Sequence, residues 1–325
     1  MSTRAEEKLH GPHSPDDRAT DSRSGTVRLV VVVPAFNEAK SIEETIRGLH
    51  AVQPRLAEIG VELSVYVIDD GSTDATGVLA RRAGVDRVLR HRANQGLGAA
   101  VRTGLRAARE EGFDLLVKID ADLQHRPEEI VDLVSPILED QADIVYGNRM
   151  EGIQYPMPFL RRVGNLVFSW LMRWLTQWPL KDSQPGIFAV SREYLRVFNI
   201  PGDYNYTQQV LLDAYHKHMR FEHVPVTFHE RVSGRSFVSL KYPLKVLPQI
   251  LLVIVSIKPL RIFVPIGLAF VLLGCGVFSV QLVWWWLGHT SRPVENVNLV
   301  LGSGLFGVQT VFFGILAELV VQARR

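Results

Sequence analysis

At 325 residues the chain is longer than a typical single domain, so a catalytic body with an appended module is the expectation. Lysine and arginine total 36 against 34 acidic residues; a formal charge of +2 gives no general basis for nucleic-acid binding, and no nucleic-acid partner is expected. Cys275 is the sole cysteine, which excludes a disulfide framework and a thiolate metal cluster, and its apolar surroundings predict a buried structural thiol.

Residues 1–26 are rich in Ser, Asp, Arg, His, Gly and Pro and hold no apolar run that could form a signal-peptide core; they read as a disordered tail. The soluble part is therefore expected in the cytosol, where nucleotide sugars and magnesium occur. From Leu29 to Pro34 a β-branched run predicts a strand, followed by Ile42, Ile46 and Leu49 at helical spacing. The unit recurs. Leu63 to Ile68 reads as a strand, with Ser72 or Thr73 able to cap the helix carrying Val78 and Leu79. Arg87 to His91 is a short strand before a helix marked by Leu97, Val101 and Leu105. Leu115 to Ile119 is a buried strand, and Pro127 opens a helix with Ile130, Leu133, Val134, Ile137 and Leu138; Ile144 to Tyr146 is a fifth strand. Such alternation implies an α/β fold with a mostly parallel sheet covered on both faces, and ligands bound beyond the carboxyl ends of its strands.

Between Val163 and Leu175, apolar residues including Leu166, Trp170 and Trp174 recur at helical spacing, as they do in a core helix or in a helix resting on a bilayer. Residues 238–260 mix apolar side chains with Lys241, Lys245 and Lys258 and are broken by Pro243, Pro248 and Pro259, a composition suited to interfacial helices. Residues 261–325 form the predicted anchor. Ile262 to Leu287 has Gln281 as its one strongly polar side chain and Val297 to Val321 has Glu318 as its one charge; each exceeds the roughly 20 residues that cross a hydrocarbon core. Lys258 and Arg261 flank the first span and Arg324 and Arg325 end the second, while Arg292 faces Glu295 in the connecting loop. The bias predicts a multi-pass cell-membrane protein with its catalytic domain and both termini cytoplasmic, and Trp284, Trp285 and Trp286 at the far interface. Two short spans also invite association into a homo-oligomer.

Polar clusters follow the predicted strands: Phe36, Asn37 and Glu38; Asp69 and Asp70; Asp120 and Asp122; Asn148 and Arg149. In Asp120-Ala121-Asp122-Leu123-Gln124-His125, two carboxylates and an amide offer hard oxygen ligands suited to Mg²⁺ or Mn²⁺ that also holds phosphates. A metal there stabilises the negative charge of a departing diphosphate. Arg149, Arg161 and Arg162 are candidates for a second phosphate, since guanidinium binds its oxygens through a planar fork. The histidines, His216, His218 and His223 among them, lack ligand-like spacing.

Pro34 to Glu38, Ile68 to Asp74, Asn94 to Gly98, Asp120 to His125 and Gly147 to Arg149 occur in the order found in family 2 glycosyltransferases, and the chain resembles the dolichol-phosphate mannose synthase group from Leu29 to about Phe237. The resemblance implies a GT-A, Rossmann-like catalytic domain over residues 27–237. It implies that Pro34, Phe36, Glu38, Ile68 and Asp70 surround the nucleoside, that Asp120, Ala121 and Asp122 touch the sugar diphosphate, and that Asp122 and Gln124 ligate the metal. It further places Arg231 at the diphosphate and Arg149, Arg161 and Asn165 at the acceptor phosphate, with Arg162 adjoining them. A basic residue expected beyond Arg231 is Phe237 here, and Arg235 is the available substitute. The implied reaction is inverting transfer of mannose, glucose or an N-acetylhexosamine from a GDP- or UDP-sugar to a polyprenyl phosphate, dolichyl or undecaprenyl. A polysaccharide-extending transferase is the alternative, although the Gln-x-x-Arg-Trp segment usual in processive synthases is absent.

Overall fold

The computed structural model describes residues 25–149, 185–200, 206–227 and 259–322, together with residues 166, 169–170, 172–174, 176–178, 180–182 and 229. Arg161, Arg162, Asn165, Arg231, Arg235, Phe237 and almost all of the predicted interfacial segment lie outside the described residues, as do residues 1–24 of the amino-terminal tail.

Seven strands form one sheet in the order β3-β2-β1-β4-β6-β5-β7. They are β1 (Val27–Ala35), β2 (Val61–Asp69), β3 (Arg87–Arg90), β4 (Leu115–Lys118), β5 (Ile144–Asn148), β6 (Phe188–Ser191) and β7 (Phe221–Pro225). β1 to β4 pair in parallel, β5 pairs in parallel with β7, and β6 runs antiparallel to both β4 and β5. β5 therefore points the same way as β4, and the carboxyl ends of the six parallel strands share one rim. The period of two along β1 explains why both faces are covered. Val30 and Val32 enter one core with α3 (Leu97–Glu110) and α6 (Tyr206–His216), while Leu29, Val31 and Val33 enter the other with α1 (Ile42–Glu58) and α4 (Ile130–Leu138).

Several local expectations are corrected. The helix after β2, α2 (Thr76–Arg82), is not capped by Ser72 or Thr73; Asp74 accepts from the Thr76 N–H at 3.0 Å, and Ser72 instead accepts from the Asn37 N–H. Thr76, Gly77 and Ala80 form the buried face of that helix, and Val78 is exposed. Leu97 is exposed as well, because α3 turns Val101 and Leu105 inward from the next turns. α5 (Arg192–Val197) follows β6 directly.

The carboxyl-terminal part is a helical hairpin, α7 (Leu260–Trp286) and α8 (Val297–Gln322), each long and apolar enough to cross a membrane. Most side chains of both helices are exposed, which a soluble protein's core helix would not tolerate. Cys275 is exposed, not buried as its apolar neighbourhood predicts. In a two-helix hairpin only one stripe of each helix faces its partner, and the rest meets the surroundings. That stripe is made of small residues: a Cβ on Gly267 would lie 2.6 Å from the Gly307 carbonyl, and one on Gly307 would lie 2.5 Å from that of Gly267. Trp284, Trp285 and Trp286 are exposed at the last turn of α7, as an interfacial belt requires.

Candidate active site

The four polar clusters predicted from sequence do gather on the common rim of the parallel strands. After β1 and β2 they form a cross-linked pair of loops. Asn37 adopts φ 56°, a conformation asparagine tolerates better than most residues, and its side-chain oxygen accepts from the Thr73 N–H at 2.9 Å. In return the Asn37 N–H donates to Ser72 Oγ, and the Glu38 N–H to Thr76 Oγ1 at 2.8 Å. Phe36 is left half-buried at the mouth of these loops, free of any ring stacking among the described residues. Pro34 is buried, and Ile68 is fully enclosed in the core, so its contribution to the rim is backbone only.

Asp70 has a different immediate task from the base contact implied by resemblance. Its Oδ1 accepts from the Gln95 N–H at 2.9 Å and meets His91 Nδ1 at 2.6 Å, while its Oδ2 accepts from the Gly96 N–H at 2.8 Å. A carboxylate offers about four acceptor sites, and three are committed to the 91–96 loop. Gly71 lets that loop close: at φ 73° it approaches Ala93 so nearly that a Cβ would sit 2.5 Å from the carbonyl carbon. His91, whose other ring nitrogen meets Thr103 Oγ1 at 2.9 Å, ties the arrangement to α3; nothing in its spacing signals this.

The acidic loop follows β4. Ala121 is buried, and its carbonyl accepts from the Thr45 hydroxyl of α1. Leu123 has φ 61°, a strained conformation for leucine, and this turns Asp122 and Gln124 toward each other: the Gln124 N–H donates to Asp122 Oδ1 at 3.1 Å. Gln124 donates its side-chain amide to the His229 carbonyl at 3.1 Å, and its own carbonyl accepts from the His229 N–H at 2.9 Å. With its NH₂ held there, the Gln124 side-chain oxygen faces away as an acceptor. Arg126 donates to His229 Nε2 at 2.8 Å.

No group of three or more His, Cys, Asp or Glu side chains capable of holding a metal occurs among the described residues. A divalent ion that keeps waters and substrate phosphates needs only one or two protein oxygens, and Asp122 with Gln124 supply such a pair. Asp120 is differently engaged. Lys118, wholly buried at the end of β4, donates to Asp120 Oδ1 at 2.5 Å and to the Gly186 carbonyl at 2.8 Å. A lysine closing the run Leu-Leu-Val-Lys beside two aspartates was the available sequence signal, because a buried ammonium demands a counter-charge.

Arg149, just past β5, is almost buried and pairs with fully buried Asp182 through two bonds, Nε to Oδ2 at 2.7 Å and Nη2 to Oδ1 at 3.1 Å. His125 lies among these groups. Burial drives its pKa down to about 3 against the opposing pull of Asp120, with Arg149 and Lys118 adding to the depression. It is neutral at physiological pH and contributes packing against Gly186, where any Cβ would lie 2.2 Å from His125 Nε2. His223 is likewise packed, its ring edge-on to Phe221 and its Nε2 accepting from the Lys181 N–H, in keeping with a non-ligand histidine.

A helical segment includes Leu166, Ser169, Trp170, Met172, Trp174 and Thr176. Ser169, Met172 and Thr176 are buried, whereas Leu166, Trp170 and Trp174 are 51%, 60% and 40% exposed, one apolar stripe turned outward. The Arg261 guanidinium lies 5.8 Å from the centre of the Trp174 ring, so this stripe adjoins the first turn of α7.

Residues 30–198 match the family described as Glycosyl transferase family 2, and residues 258–323 match a GtrB C-terminal hairpin. An undecaprenyl-phosphate mannosyltransferase of Micrococcus luteus is 30% identical, over 66% of this chain and 88% of its own length. A dodecaprenyl-phosphate galacturonate synthase of Rhizobium johnstonii is 26% identical over 94% of this chain and 91% of its own, hairpin included. The crystal structure of glucosyl-3-phosphoglycerate synthase from Mycobacterium tuberculosis with Mn²⁺, UDP and phosphoglyceric acid shares the fold, with a TM-score of 0.57 at 23% identity over 76% of this chain and 84% of that one.

Proposed function

Because the chain belongs to glycosyl transferase family 2, we propose that it moves a hexose from a GDP- or UDP-sugar onto a polyprenyl phosphate at a membrane surface. One observation carries the choice of acceptor: the catalytic domain that bears the acidic loop and Arg149 shares its chain with an apolar hairpin whose Arg261 packs on Trp174 of that domain. Relatives that transfer sugars to undecaprenyl and dodecaprenyl phosphate support the same choice. The outward Leu166, Trp170 and Trp174 stripe favours the bilayer-resting reading of its helix over the core reading, and would bring the lipid phosphate in beside the rim.

In this reading Phe36 and the loops braced by Glu38 and Asp70 receive the nucleoside, and Asp120 and Asp122 face the sugar diphosphate. Asp122 and Gln124 would hold Mg²⁺ or Mn²⁺, which when bound stabilises the charge on the departing nucleoside diphosphate. Arg149, oriented by Asp182, receives the acceptor phosphate, with Arg161, Arg162 and Asn165 and, at the diphosphate, Arg231 as the proposed partners outside the described residues. A phosphate monoester has a second pKa near 6, so the acceptor oxygen is already an anion and no side chain need remove a proton. Its in-line attack on the anomeric carbon inverts the linkage, and the protein's contribution is alignment and charge. The basic residues at the ends of the hairpin support an orientation with both termini and the catalytic domain on the cytoplasmic side of the cell membrane.

The test is the purified full chain in lipid, given Mn²⁺, a panel of labelled GDP- and UDP-sugars and polyprenyl phosphate. A lipid-extractable, mild-acid-labile labelled product with one donor is expected. Label that enters only a pre-existing glycan would replace this reading by the polysaccharide-extending one.

A further inference from the structure

One imidazole ties the loop between β3 and α3 to three elements. His91 follows β3 directly, and its backbone N–H donates to the Asp69 carbonyl at the end of β2, at 2.9 Å. Its ring reaches further. Nδ1 stands 2.6 Å from Asp70 Oδ1 and donates to it, since a carboxylate can only accept, while Nε2 pairs with the Thr103 hydroxyl of α3 at 2.9 Å. Both members of the His91–Asp70 pair are nearly enclosed, with 10% and 5% of their side chains exposed. The far end of the loop closes on the same carboxylate, for Gln95 and Gly96 give it their N–H groups at 2.9 and 2.8 Å. α3 then starts at Gly96, with φ 94° and no side-chain cap of its own, so the bonds through Asp70 and His91 tie its first two turns to the rim.

We propose that His91 is a positioning residue for the donor nucleotide: it holds the Asp70 carboxylate and the 91–96 loop in register with α3, and so sets the affinity for the nucleoside half of the donor without affecting the lipid acceptor. The proposal rests on the transferase reading above, in which the loops at the tips of β1 and β2 receive the nucleoside. A carboxylate offers about four acceptor sites, and with three taken the direction of the fourth follows from the other three. Two of those three come from the loop's own N–H groups and turn with the loop. The His91 bond instead refers the carboxylate to a rigid element, the second turn of α3. The brace also extends toward Phe36, because the Asp70 N–H donates to the carbonyl of the preceding residue in that loop, Ala35, at 2.9 Å. A shift of the imidazole therefore moves the walls on which a base would rest.

The experiment compares the full wild-type chain in lipid with His91→Ala, His91→Asn and Thr103→Val. Binding of UDP and of GDP with Mn²⁺ is titrated by calorimetry, KM is measured for nucleotide sugar and for polyprenyl phosphate, and melting is followed by circular dichroism. A hydrogen bond to a charged group is worth on the order of tenfold or more in an equilibrium constant, so His91→Ala is expected to weaken nucleotide binding and raise the donor KM about tenfold, with the KM for polyprenyl phosphate within about twofold of wild type. Asparagine can offer an amide N–H near the place of Nδ1, and His91→Asn should recover most of the loss. Thr103→Val keeps the Asp70 bond but removes its anchor on α3, and should fall between. A side chain that only stabilised the fold would lower the melting temperature and leave nucleotide affinity of the folded enzyme at the wild-type level; that result, or equal rises in both KM values, would overturn the proposal. Should His91→Ala fail to fold, Thr103→Val decides, its nucleotide affinity weakened severalfold sustaining the assignment and wild-type affinity removing it. Intact nucleotide binding without lipid-linked product from the wild type would instead sink the functional reading, and the titrations would still report on His91.

Discussion

Arg149, just past the end of β5, and Asp182 meet as a two-point ion pair in which neither side chain is open to bulk water. The pair fixes the plane of the guanidinium, and a planar fork of this kind is what binds phosphate oxygens. Asp182→Asn removes the charge and keeps the shape. Breaking one side of a buried pair costs roughly 3–5 kcal/mol, so a clear fall in melting temperature is expected. The KM for polyprenyl phosphate should rise more than that for the nucleotide sugar. Equal rises in both would show that Arg149 serves the donor.

Asp122 and Gln124 should be separable from Asp120 by metal titration. Loss of a charge-stabilising group at a reacting centre costs on the order of 10²- to 10³-fold, and Asp122→Ala is expected to lie in that range with weakened Mn²⁺ binding. A chelator should stop wild-type turnover, with Mg²⁺ or Mn²⁺ restoring it. Transfer by Asp122→Ala at the wild-type rate and metal dependence would remove Asp122 from the ligand set.

His223 supplies a pH test away from the acidic loop. Burial lowers its pKa against the opposing effects of the Tyr146 carbonyl, Asp182 and Glu222, with Lys181 adding to the depression. A neutral ring is also what the Lys181 N–H bond to Nε2 requires. The unfolded chain binds the proton more readily, so this contribution to stability is complete above the ordinary histidine value of about 6.5 and is lost as pH falls below it toward the depressed folded value. His223→Gln can keep both hydrogen bonds without titrating. Between pH 7 and 5, approximately, its melting temperature should fall less steeply than that of wild type, measured by circular dichroism. Parallel slopes would exclude the histidine as a source.

The hairpin can be tested by volume. Gly267→Val places methyl groups against the Gly307 backbone, and overpacking of this kind costs about 1–3 kcal/mol. Gly276, on the same helix with open space around its Cβ position, is the control. Gly267→Val should lower the thermal stability of the detergent-solubilised chain, and Gly276→Val should leave it near wild type; the reverse order would mean that the two helices pack on other faces.

The parallel core was legible because its signals are local: β-branched runs such as Leu29 to Pro34, each followed by polar residues at the tip, fix both strand and rim. The convergence of Asp70, Asp122 and Arg149 followed from that. β6 was not legible as a strand, since Phe188 to Ser191 is four residues long and its antiparallel course between β4 and β5 depends on partners distant in sequence. Nor was the use of Asp70 as a loop brace, for an aspartate that binds a base and one that binds backbone N–H groups read alike. Cys275 was misjudged because an apolar run reports hydrophobic side chains without saying whether other parts of the protein cover them. The pairing of Asp182 with Arg149 was not legible either, because it joins residues 33 positions apart in the chain.

The reversed strand β6 has a metric consequence. Its first residue, Phe188, stands opposite both Lys118 of β4 and Tyr146 of β5, so it keeps those strands two ladder spacings apart, roughly 9–10 Å. A reverse-running ribbon thereby acts as a fixed spacer between the acidic loop that follows β4 and Arg149 beyond β5, and neither can draw nearer the other without breaking the ladder on one side of β6.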